Sequence, residues 1–282
     1  MIAQADVGLL DSFERALIND RLSMAYQPKV SLADGSLKRV EALVRWIDPQ
    51  LGPVPPSRFV PLAERHGLID ELTQWGLRTT LRQWHAWRAE GLHTRLAFNI
   101  SALSLDRLDF PDLVERMCSA LEVPTDQLVL ELTESATQPL IKLIDTLTRF
   151  RIKGIGLAID DFGTGYSTLM QLRQLPFTEL KIDRFFITDL VESTESQLML
   201  RIMIELAHGL GLIAIAEGVE TVEQLRLLRK LGCNGIQGYF VSHPRAPETL
   251  ASWYAEWMKR WPTLVEPPGK KIKRPAQALA PS

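Results

Sequence analysis

Cysteine is nearly absent from this chain: Cys118 and Cys233 are the only two in 282 residues, which excludes a disulfide framework and a zinc-ligand spacing. Both sit in apolar helical contexts and are expected as buried free thiols in a reducing cytoplasm. Long apolar runs are missing too. The longest, Leu198 to Ala216, carries Arg201, Glu205 and His208 and is broken by Gly209 and Gly211, which argues against a membrane span. The start, MIAQADVGLLDSFERAL, lacks the basic flank and apolar core of a signal peptide. Nor is there an excess of one charge: the formal net charge of −2 gives no long-range field toward a DNA or RNA polymer or an anionic membrane.

What remains is an ordinary globular composition, 46% hydrophobic and 23% charged. A (β/α)8 barrel takes roughly 250 residues, and no Pro/Gly/Ser-rich linker interrupts the periodic region 11–261. The expected organisation is an N-terminal tail over 1–10, one barrel over 11–261 and a disordered, proline-rich tail over 262–282, whose Lys270, Lys271, Lys273 and Arg274 read as a solvated basic segment.

A short helix capped by Asp11 or Ser12 should lead in. LSMAYQPKV and LKRVEALVRW follow, joined by ADGS, whose Asp-Gly pair signals a hairpin and so an antiparallel first pair. The stretch DPQLGPVPPSRF reads as a loop, with Ser57 a possible cap for a long helix reaching about Ala89, in which Leu77, Leu81 and Trp84 share a core face. Beyond it RLAFNIS, QLVLELTES, IGLAIDD, ELKID, LIAIAEG and GIQGYF alternate with helical patterns. Counting the hairpin, eight strands result, the number that closes a side-chain-filled barrel.

Polar residues recur where these runs stop: Glu41, Asn99, Glu131, Asp160, Asp161, Lys181, Glu217 and Gln237. In a barrel of this kind the functional groups come from the carboxyl ends of several strands. Carboxylates gathered in one mouth repel unless cations sit among them, which implies a metal site. No histidine closes a strand, so a hard, oxygen-liganded ion such as Mg²⁺ or Mn²⁺ is favoured over zinc. Asp160 and Asp161 are adjacent, and adjacent strand positions face opposite sides; a useful pair needs the chain to turn, which Gly163 and Gly165 allow.

The ordered motifs QPKV, EALVRW, FVPLAE, NIS, ELTES, IDDFGTGYSTL, KIDRFF, AEGVET and QGY, with the tripeptide Glu41-Ala42-Leu43, resemble the EAL-domain family of cyclic di-GMP phosphodiesterases. The resemblance implies an α/β fold, a modified TIM (β/α)8 barrel with an antiparallel first strand, in agreement with the hairpin. It implies two Mg²⁺ or Mn²⁺ ions held by Glu41, Asn99, Glu131, Asp160, Asp161 and Glu217. It also implies catalytic Lys181, Glu217 and Glu41, substrate contacts at Gln27, Leu43, Arg45 and Gln237, a loop anchor at Glu134, and a homodimer. The implied reaction is metal-dependent hydrolysis of cyclic di-GMP to linear pGpG by in-line attack of water on a phosphodiester. The alternative is a catalytically weak cyclic di-GMP receptor acting through a protein partner.

Overall fold

The computed structural model describes residues 4–133, 140–163 and 169–265. The chain closes into an eight-stranded barrel. Strands β1 (Leu22–Ser31) and β2 (Leu37–Asp48) form the antiparallel hairpin, pairing Gln27 with Glu41 and Lys29 with Arg39. From β2 the sheet continues through β4 (Arg95–Asn99), β5 (Leu128–Thr133), β6 (Gly156–Phe162), β7 (Glu179–Ile182), β8 (Ile213–Ala216) and β9 (Gly235–Ile236), all parallel, and β9 returns antiparallel onto β1. The eight strands are those expected. An unexpected short strand, β3 (Gly52–Val54), lies outside the barrel against the end of β2. There the Asp48 carboxylate accepts from the backbone N–H groups of Gln50 and Leu51 and turns the chain back.

The helices coat the barrel. Helix α1 (Gln4–Ile18) starts well before Asp11, because Leu9 and Phe13 are buried against Trp46 and Phe59; Ser12 is no cap but donates to Asp48. The long helix expected to Ala89 is two, α2 (Pro56–Arg65) and α3 (Ile69–Ala89), separated at Gly67, which takes φ +74°. Ser57 lies inside α2, whose start is set by Pro56. Helices α4 (Phe110–Ala120), α5 (Leu140–Ile152), α6 (Leu169–Gln174), α7 (Thr194–Gly209) and α8 (Val222–Lys230) follow. Helix α9 (Leu250–Val265) runs past Trp261 with Pro262 inside it. Residues 266–282, where a disordered tail is expected, lie outside the described residues.

Outward-facing strand residues such as Val40, Leu96, Leu130 and Leu157 pack with Leu77, Leu81 and Trp84 of α3, Val114 of α4 and Leu147 of α5. Trp87, at the end of that face, is buried edge-on against Tyr26 and donates its indole N–H to Pro247. The alternate strand positions point into the barrel, and many of these are charged. Side chains from strands that are not neighbours meet there: Lys29 of β1 with Glu131 of β5, and Arg39 of β2 with Glu179 of β7. The apolar core therefore sits between barrel and helices, and the barrel itself encloses an ionic interior.

Candidate active site

At the carboxyl ends of the parallel strands, Lys181 is the hub. Its ammonium is fully enclosed and lies 2.8 Å from Glu131, Asp160 and Glu217 and 3.9 Å from Glu41. Burial opposes its charge, but these four carboxylates outweigh burial and hold its pKa well above the ordinary lysine value. Glu41 accepts from Asn99 at 2.6 Å and from Gln237 at 2.7 Å. Its burial would raise its pKa, yet Lys181, Lys29 and those two amides bring it down to about 2. Gln237 also donates to Gln27 at 2.9 Å, and Gln27 to the Ser242 carbonyl at 3.1 Å. One polar net thus ties β1, β2, β4 and the residue after β9 together.

Asp160 and Asp161 do reach one side, by a bulge. Between Ile159 and Phe162 the β6–β7 register shifts, so two residues of β6 face one of β7. Asp161 takes the left-handed conformation, φ +54°, which aspartate tolerates better than most residues. The turn lies at Asp161 itself, before the glycines invoked from sequence. Carboxylate oxygens of Asp160, Asp161 and Glu217 all fall within 4.8 Å of one another. Burial, then the charges of Asp160 and Asp183, push the Asp161 carboxyl up to about 6. Burial, aided by the charges of Asp160 and Glu41, outweighs Lys181 and pushes Glu217 up to about 8.

Six interior carboxylates, Glu41, Glu131, Asp160, Asp161, Glu179 and Glu217, face the basic groups of Lys29, Arg39 and Lys181. Among the described residues the buried Oε1 of Gln237 finds no hydrogen-bond donor. An excess of hard oxygen donors beside an unpaired acceptor fits a divalent cation with its water ligands. Leu43 and Asn99 line a cleft of about 520 Å³ whose wall includes Phe98, Leu72 and Trp75. Arg45 stands half-buried near the mouth, held by its own donation to the Val44 carbonyl at 2.9 Å. Glu134 and residues 164–168 lie outside the described residues.

Two residues in contact with this net or beside it escape a reading by strand ends alone. Lys29 is buried in mid-strand, bonded to Glu131 and 3.7 Å from Glu41. The signal for it was its spacing of two from Gln27, which puts both on one face of β1. Tyr239 is 57% exposed beside the mouth with its ring stacked on His243 at 3.9 Å; nothing local distinguishes it from a surface tyrosine.

The family description "EAL domain" matches residues 10–244. The chain belongs to the EAL domain family. A Pseudomonas aeruginosa relative named as a cyclic di-GMP phosphodiesterase is 40% identical over 247 residues, covering 87% of this chain and 42% of its own. The Escherichia coli cyclic di-GMP phosphodiesterase PdeR is 35% identical over 250 residues, covering 88% and 38%. This EAL chain therefore spans well under half the length of those relatives. Among solved structures, the MucR phosphodiesterase in complex with c-di-GMP superposes with a TM-score of 0.81 at 39% identity, covering 86% of this chain and 99% of that one.

Proposed function

We propose that this EAL domain hydrolyses cyclic di-GMP to linear pGpG. The observation that carries the reading is the cluster of Asp160, Asp161 and Glu217 around the buried ammonium of Lys181, at the strand ends of an EAL barrel. Glu41, Asn99, Glu131, Asp160, Asp161 and Glu217 would hold two Mg²⁺ or Mn²⁺ ions, which supply charge stabilisation at phosphorus and lower the pKa of water.

The protein's own groups do the rest. Lys181 balances phosphate charge and orients the attacking water, and Glu217, 2.8 Å from Lys181 and ionised once the cations are held beside it, takes the water's proton at a carboxylate oxygen. The water oxygen bonds to phosphorus as the bond to the 3′ oxygen breaks; that oxygen leaves with the bonding pair and takes a proton from solvent to become a hydroxyl, so the product carries one free 5′ phosphate. Arg45 offers a donor fork to a phosphate. Gln27 and Gln237 present amides, and Leu43 with Phe98 gives a guanine an apolar wall.

Cytoplasmic placement is supported by the free thiols of Cys118 and Cys233. A homodimer is supported by exposed Ile141 and Ile152 on α5, and sedimentation would test it. No described helix is long and apolar enough to cross a membrane.

The test of the reaction is chromatography of cyclic di-GMP incubated with protein and Mg²⁺ or Mn²⁺. Conversion to pGpG that is abolished by EDTA and by Glu41→Ala supports the enzyme. Nucleotide binding without conversion would replace it with a receptor acting through a protein partner.

A further inference from the structure

At the other end of the barrel, the starts of β2, β4, β8 and β9 and the last turn of α8 surround a second cavity of about 550 Å³, within the size range of small-molecule sites. Lys29, Lys38, Arg39, Arg95 and Arg229 line it, and among the described residues no acidic side chain does. Lys38 is answered by Asp34 at 3.8 Å on the surface. Arg229 lies in the last turn of α8, where the helix dipole alone favours a cation.

Arg39 is only 6% exposed. Its Nη2 lies 2.5 Å from Glu179, but among the described residues its buried Nε has no hydrogen-bond acceptor. A buried donor left unsatisfied costs about 1–3 kcal/mol, more when charged, unless an acceptor occupies the space before it. Arg95 pairs in register with Arg39 across β2 and β4, and no hydrogen bond or ion pair of its side chain is found among the described residues. Burial, with Arg95 adding to it and Glu179 opposing it, lowers the pKa of Arg39, so two like charges converge on the cavity.

We propose that this cavity binds a small phosphate-bearing anion. Arg39 Nε and the Arg95 guanidinium donate to the phosphate oxygens, a geometry the planar guanidinium suits. Ile213 and Ile215 provide the apolar wall for the body the phosphate is attached to. The site opens at the end of the barrel opposite the carboxylate mouth, which without divalent cations would repel the same ligand, and it does not depend on the phosphodiesterase reading.

The test is calorimetric titration of the full chain in EDTA with inorganic pyrophosphate and with GMP. Saturable binding is expected, weakened at least about tenfold by Arg95→Glu, which removes a charge-assisted hydrogen bond and sets a carboxylate against the anion. Arg39→Lys, which keeps the charge facing Glu179 but removes Nε, should weaken it as well. Arg45→Ala should leave it unchanged. Absence of saturation through the millimolar range overturns the proposal, as does binding that Arg45→Ala removes and Arg95→Glu does not, since the anion would then sit in the catalytic mouth.

Discussion

The ammonium of Lys181 lies 2.8 Å from the carboxylate of Glu217. It is equally close to Glu131 and Asp160, so one buried cation answers acids brought in by separate strands. Removing one partner of such a set leaves uncompensated buried charge and costs about 3–5 kcal/mol. Lys181→Met is expected to melt at a lower temperature than the unmodified protein in EDTA. Mn²⁺ should then restore more stability to the variant, because a divalent cation takes over the compensation. Thermal melts with EDTA and with Mn²⁺ check this; equal gains from the metal in both proteins would contradict it.

Asp161 owes its place in the cluster to a left-handed backbone. Asparagine shares that tolerance, so Asp161→Asn should keep the fold within about 1 kcal/mol while removing one of three clustered carboxylates. Loss of even an outer partner weakens metal sites by about 10–100-fold, and at least that loss is expected in a Mn²⁺ titration. Asp161→Val, β-branched at positive φ, should lower the melting temperature instead.

Gly238 follows Gln237 at a point where the backbone touches Val219. A Cβ there would lie 2.2 Å from both the N and the O of Val219, far inside contact distance. Gly238→Ala should cost about 1–3 kcal/mol, as forced overpacking does, and should displace Gln237 from Glu41. Turnover of cyclic di-GMP, read beside the melt at a temperature where the variant is folded, should fall; unchanged turnover would show that the Gln237–Glu41 bond is dispensable.

Both thiols are buried, and burial raises Cys118 to about 11 and Cys233 to about 12. Because the thiolate is the reactive form, and burial disfavours it, neither cysteine should react with an aromatic disulfide reagent at pH 8 in the native protein. Both should react on unfolding, and absorbance of the released thiol measures the two rates. Rapid native labelling would place a cysteine at the surface.

The barrel's strands and much of its mouth were legible in the letters of the chain. Period-two alternation, the Asp-Gly turn and helix-period stretches are local signals, so the eight strands and the antiparallel hairpin were legible without contacts. Asn99, Asp160, Glu217 and Gln237 were legible because a polar group ending an apolar run is also a local pattern; Glu41, Glu131 and Lys181 lie inside β2, β5 and β7 instead, and β2 runs on to Asp48. Helix starts were less so: α1 begins at Gln4 because Leu9 and Phe13 find Trp46 and Phe59 across the fold, which no capping residue announces.

Which charges face each other was set by closure of the barrel. Lys29 meets Glu131 from 102 positions away and Gln237 meets Glu41 from 196, and such pairs exist only once closure sets the register of every strand. The same closure isolates the Asp160, Asp161 and Glu217 oxygens in one cluster through a bulge. At the far end it buries Arg39 beside Glu179 and Arg95, in a strand whose letters alone read as one more alternating run. Local chemistry chose the side chains; ring closure, a long-range constraint on all eight strands, chose their partners.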